Sequence, residues 1–142
     1  MQIIEVKAKQ EKQVLQKFWD SLKQGRITTL RCRKCGTYMF PPVPICKECL
    51  SRDLYWADLS GDGELLYFTS APMPGKPFLE FAPYAYGAVR FKEGPIFITR
   101  IEGVDISSPA SIMKGWEKLP RPVKAEFMQV KGLNTIVFRV KG

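Results

Sequence analysis

Histidine is absent from this 142-residue chain. The commonest general base near neutral pH is therefore missing, and nucleophiles that need an imidazole partner, Ser–His and Cys–His, are excluded. Cysteine is scarce, four residues in all. Long apolar runs are missing too: no stretch approaches the roughly 18 residues of a membrane span, so no membrane partner is expected. Met1 to Lys12 is charged and lacks the apolar centre of a signal peptide. Reduced cysteines without a leader place the expected location in the cytoplasm. Carboxylates and lysines remain, but no arrangement of them stands out. The chain is expected not to be an enzyme.

What is there begins with the cysteines. All four lie in two CxxC units, Cys32-Arg33-Lys34-Cys35 and Cys46-Lys47-Glu48-Cys49, ten residues apart. A CxxC turn holds two thiolates on one side of a tight knuckle, and two facing knuckles complete a tetrahedron around one metal ion. Gly36 follows the first knuckle, where a missing Cβ lets the backbone turn sharply. Four thiolates select zinc, with iron the lesser candidate. Two disulfides or four unrelated thiols are the competing reading. The repeated spacing with no cysteine left over favours metal. A four-cysteine site is closed, with no position for water or substrate, so this metal is structural.

The net charge of +8 favours anionic partners, whether nucleic acid, phosphorylated cofactors or an acidic protein surface. Residues 10–24 read as an amphipathic helix: Val14, Leu15, Phe18, Trp19 and Leu22 recur at 3.6-residue spacing, and Gly25 stops it. Residues 26–60 form the metal module, with strands expected at Ile27–Arg31, Thr37–Phe40 and Leu54–Asp58. So small a module needs the metal to be stable. Ser60-Gly61-Asp62-Gly63 is a turn and a domain boundary, beyond which residues 61–142 are expected to fold separately. Five strand-like runs follow, Glu64–Ser70, Tyr86–Phe91, Pro95–Ile101, Val123–Val130 and Thr135–Val140. They are separated by turn signals such as Pro72-Met73-Pro74-Gly75 and Lys92-Glu93-Gly94. Five short strands suit an OB barrel. Residues 108–122 read as a Pro-containing connection with at most one helical turn around Ser111–Trp116. The expected fold is mainly β: an N-terminal helix over 1–25, a rubredoxin-like zinc ribbon, and a five-stranded OB barrel.

The order of features resembles a known family. Phe18-Trp19-x-x-Leu22-x-x-Gly25 leads into Arg31-Cys32-x-x-Cys35-Gly36. Phe40-Pro41-Pro42, Cys46-x-x-Cys49 and Ser60-Gly61-x-Gly63 follow, then Ala82-Pro83-Tyr84 and Gly94-Pro95 before Gly103-Val104-Asp105. Together they resemble the acyl-CoA-associated family of zinc-ribbon and OB-fold proteins, long known as a domain of unknown function. The resemblance covers residues 14 to 140. It implies a scaffold subunit that partners thiolase-superfamily enzymes, such as acetoacetyl-CoA thiolase and hydroxymethylglutaryl-CoA synthase of the mevalonate pathway. Val43 stands where arginine is frequent in the family, and Lys47 where proline is frequent.

Three functions compete. The first is a non-catalytic subunit that binds acyl-CoA or helps an acyl-CoA enzyme hold it. Coenzyme A wants cations for its phosphates and an apolar or aromatic wall. Lys23, Arg26, Arg31, Arg33 and Lys34 are expected to cluster where helix meets ribbon, near Phe18 and Trp19. The second is a single-stranded nucleic-acid binder that stacks bases on Tyr84, Tyr86, Phe91 and Phe97, with Arg90, Lys92 and Arg100 alongside. The third, an enzyme in its own right, has no histidine, open metal site or nucleophile motif behind it.

Overall fold

The computed structural model of the chain describes residues 2–71, 76, 83–130 and 132–141, with side chains in the first helix from Gln13 onward. The expected turn Pro72–Gly75, the rest of the segment to Ala82, and Lys131 lie outside the described residues.

Helix α1 spans Gln2–Lys23, eight residues longer at its start than the amphipathic pattern implied. Residues 2–9 lack the periodic apolar face but contain neither Gly nor Pro, and their Gln, Glu, Lys and Ala continue the helix on propensity. Gly25 stops it as expected. At φ 73° it closes a Schellman turn, in which the Gly25 and Arg26 N–H groups donate to the Leu22 and Ser21 carbonyls. The Ser21 hydroxyl then joins helix to sheet, donating to the Phe18 carbonyl at 2.6 Å and accepting from the Thr28 N–H at 3.3 Å.

Strands β1 (Ile27–Cys32), β2 (Tyr38–Met39) and β3 (Leu54–Leu59) form an antiparallel ribbon sheet in the order β2-β1-β3. The remaining strands are β4 (Asp62–Ala71), β5 (Tyr84–Phe91), β6 (Ile96–Glu102), β7 (Arg121–Val130) and β8 (Leu133–Val140). They close a barrel in the order β4-β5-β6-β8-β7. Every pairing is antiparallel except β6 with β8, the connectivity of an OB fold. The expected runs all became strands, most of them longer by one or two residues at an end.

The connection between β6 and β7 departs from expectation. It contains a two-turn helix, α2 (Pro109–Trp116). Ser108 caps it, its hydroxyl accepting from the Ser111 N–H, and Pro109 sits in the first turn. Gly115 masks this helix in the sequence. The Phe68 ring lies against it, and a Cβ on Gly115 would come within 2.7 Å of the Phe68 Cζ.

The main apolar cluster runs through all three segments. Phe18 and Leu22 of α1, Ile27, Phe40 and Leu59 of the ribbon, and Leu65, Phe68, Val89, Phe91 and Phe138 of the barrel are buried in it. A smaller cluster of Leu30, Cys32, Met39 and Cys46 backs the knuckles, with Val14, Leu54 and Trp56 packed on it.

Candidate metal centre and the surfaces around it

The knuckles repeat one backbone device. In the first, the Gly36 N–H donates to the Cys32 carbonyl at 3.0 Å, and Gly36 has φ 77°. In the second, the Leu50 N–H donates to the Cys46 carbonyl at 3.0 Å, and Leu50 has φ 61°. Each turn continues into a bond that fixes its first cysteine, from the Cys32 N–H to the Thr37 carbonyl and from the Cys46 N–H to the Ser51 carbonyl, both 2.9 Å.

This brings the four sulfurs within 4.8 Å of one another. Cys32 faces Cys49 at 3.6 Å and Cys35 faces Cys46 at 3.5 Å. Those separations exclude disulfides, whose sulfurs lie about 2.05 Å apart. They match the edge of about 3.8 Å that a tetrahedron with Zn–S bonds of about 2.3 Å requires. Cys32 and Cys46 are buried, while Cys35 and Cys49 face outward. The Thr37 hydroxyl, and after it the Thr37 backbone N–H, lower the Cys35 pKa to about 6. Cys49, despite the Ser51 backbone, is pushed up to about 12 by its cysteine neighbours, so the thiols share charge unequally until a metal binds all four as thiolates. The cofactor of this site is a structural zinc.

The other candidate residues scatter. Phe18 is buried and meets the Phe40 ring edge-on at 5.5 Å, whereas Trp19 is 42% exposed. Lys23 and Lys34 are exposed. Arg26 pairs with Asp58 at 3.2 Å, beside the Thr28 hydroxyl. These contacts, the Arg26 hydrogen bond first, hold Asp58 below the usual carboxylate range. Arg33 pairs with Asp53 at 3.2 Å and lies over the Tyr55 ring. Arg31 lies over Tyr38 and donates to the Gly36 carbonyl. Arg26 and Arg33 flank the six-residue strand β1, one at each end. Seven residues at about 3.3 Å each put them roughly 23 Å apart.

The aromatic platform expected for nucleic acid is also divided. Phe91 is buried and Phe97 packs on the core, both against Phe40 with centroids 4.9 Å away. Strand alternation decides this, since Tyr84 and Tyr86 share neither face nor burial with Phe91. What the outer barrel face carries is a mixture of tyrosine and isoleucine. Tyr67, Ala88 and Ile98 align across β4, β5 and β6, and Thr69, Tyr86 and Arg100 form the next row. Ile98 is 68% exposed and Ile96 52%. Ile96-Phe97-Ile98 is apolar on both faces of β6 before Thr99 and Arg100 break the run, and that short run is the signal that marks this surface.

Two family models match in tandem: the rubredoxin-like zinc ribbon domain of ChsH2 over residues 19–54, and its C-terminal OB-fold domain over residues 56–127. This chain belongs to the ChsH2 family. The family architecture expected from the Phe-Trp helix, the paired knuckles and the barrel is the one observed. The chain is similar to a protein called a DUF35 domain-containing scaffold protein in Pyrococcus furiosus, 28% identical over 71% of this chain and 72% of that one. It is 33% identical to a probable enoyl-CoA hydratase alpha subunit of Thermomonospora curvata, over 61% of this chain but 27% of that protein. It spans about a quarter of that relative's length. Among solved structures, the Ltp2-ChsH2(DUF35) aldolase superposes with a TM-score of 0.68 at 28% identity, covering 87% of this chain and 91% of that one. A Sulfolobus solfataricus DUF35-family protein of unknown function, 16% identical with a TM-score of 0.57, shares the fold. Among the described residues no helix of this ChsH2 family member is long and apolar enough to cross a membrane.

Proposed function

We propose that this chain is a non-catalytic cytoplasmic scaffold subunit of a thiolase-superfamily enzyme acting on acyl-CoA, with acetoacetyl-CoA thiolase and hydroxymethylglutaryl-CoA synthase as the model partners. The observation that carries the reading is the outer face of β4–β6. Tyr67, Tyr86, Ile96 and Ile98 present contiguous apolar side chains to solvent, which marks an interaction surface. The most exposed apolar residues of this face are isoleucines, which pack against protein but offer no ring for a base. Tyr67 and Tyr86 suit either partner, so Ile96 and Ile98 are what favour a protein over a single-stranded nucleic acid. The closed zinc site supports a structural role for the metal, and the names of the scaffold relatives and the aldolase complex favour an enzyme as partner.

The test is purification of the chain from its source with its bound partners identified. A thiolase-superfamily enzyme should accompany the wild type and be lost with Ile98→Glu, while the fold persists. Nucleic acid in its place would favour the alternative. Acyl-CoA turnover by the isolated chain, abolished by a point substitution within it, would refute the non-catalytic role.

A further inference from the structure

A cleft of about 370 Å³ opens between α1 and the ribbon sheet, on a part of the surface that none of the expected binding residues occupies. Val14, Leu30, Leu54 and Trp56 form an apolar wall, and Lys17 and Arg52 supply cations. The wall is the outer side of the small cluster that backs Cys32 and Cys46.

Among the described residues, what sets Lys17 and Arg52 apart from other cations without an ion pair, such as Lys23 and Arg90, is the apolar cleft they share. Arg26, Arg33, Lys124, Arg139 and Lys141 all pair with carboxylates. Lys17 instead holds its ammonium over the Trp56 ring, 4.5 Å from the centroid. Among the described residues no carboxylate lines the cleft, and no ion pair involves Lys17 or Arg52. Two cations beside an apolar wall fit an anion attached to an apolar body. Guanidinium and ammonium together suit a phosphate, and an indole and leucines suit a planar or aliphatic group next to it.

We propose that this cleft binds an organic phosphate, with the phosphate between Lys17 and Arg52 and its apolar body along Trp56, Leu30 and Leu54. The assignment rests on the cleft alone and does not depend on the partner enzyme.

The test is calorimetric titration of the zinc-loaded full chain at low salt with three probes: ADP for a planar body, hexyl phosphate for an aliphatic one, and inorganic phosphate for the head alone. One organic phosphate should bind at 1:1 and at least tenfold tighter than inorganic phosphate. Lys17→Ala and Arg52→Glu should each weaken it at least tenfold with zinc content and circular dichroism unchanged. Arg26→Ala, outside the cleft, should leave it unaltered. Arg52 is exposed, so Arg52→Glu carries the test even if Lys17→Ala disturbs the packing on Trp56. Absence of 1:1 binding by either organic phosphate, affinity no better than that of inorganic phosphate, or indifference to Arg52→Glu would overturn the assignment.

Discussion

The Phe40 ring meets the Phe91 ring edge-on, with centroids 4.9 Å apart and planes at 62°. One residue belongs to the ribbon and the other to the barrel. Phe40 reaches Phe97 at the same distance and Phe18 at 5.5 Å, so a single ring joins helix, ribbon and barrel. Edge-to-face aromatic pairs add about 0.5–1.5 kcal/mol each beyond the area they bury.

Phe40→Ala should therefore cost about 3–5 kcal/mol, the usual loss for deleting a buried aromatic. Thermal melts followed by near-ultraviolet circular dichroism check this. We further propose that the boundary at residues 60 and 61 separates topological units that support each other. A fragment starting at Ser60 should melt well below the full chain. Equal melting of fragment and full chain would instead establish an autonomous barrel.

Phe18 and Trp19 should part company. Phe18→Ala should destabilise by about 3 kcal/mol or more, and Trp19→Ala, at a site 42% exposed, by about 1 kcal/mol or less. If binding of a partner enzyme weakens on Trp19→Ala while the melt holds, Trp19 belongs to the interface. A large stability loss from Trp19→Ala would contradict its placement.

Much of this was legible in the chain because local rules decide it. Cysteine spacing fixes the knuckles, period-2 alternation marks the strands, and Gly25 and Gly61 punctuate. What was not legible depends on tertiary neighbours. Phe18 and Trp19 are adjacent apolar residues on one helix, and only docking against Phe40 selects Phe18 for burial. Gly115 lowers the helical signal of residues 109–116, yet it is there because Phe68 leaves no room for a Cβ. Lys17 and Arg52 lie 35 residues apart in sequence and meet only because α1 crosses the ribbon sheet.

Removing the metal should reach beyond the ribbon. The knuckles position Met39 and hence Phe40, so Cys35→Ser or chelation should lower the barrel's melting temperature as well as unfold the ribbon. Metal analysis and a melt of the same samples test it. Full zinc content and an unchanged melt in Cys35→Ser would count against the assigned ligands.

Asp58 gives a pH signature. Its carboxyl is held below its ordinary value chiefly by the Arg26 hydrogen bond and then by Thr28. A depressed folded pKa stabilises above the unfolded value of about 3.9, and the contribution is lost as pH falls through the folded value. The difference in melting temperature between wild type and Asp58→Asn should thus be present at pH 6 and shrink below about pH 4. A difference independent of pH would mean that the Asp58 charge contributes nothing. The pair is half exposed, so added salt should shrink the difference too.

Leu50 occupies in the second knuckle the place Gly36 holds in the first, and both have positive φ. For glycine this conformation is free of steric cost, whereas a residue with a Cβ loses about 1–2 kcal/mol there. The Leu50 side chain is 70% exposed, so little packing offsets that loss. Glycine brings its own penalty of about 0.5–1 kcal/mol in chain entropy. Leu50→Gly should therefore raise stability by up to about 1 kcal/mol, visible as a higher melting temperature in the zinc-loaded protein. A lower melting temperature would show that the leucine packs more favourably than its exposure implies. If stability rises while binding of a partner enzyme falls, Leu50 is retained for contact, and the second knuckle belongs to the docking surface.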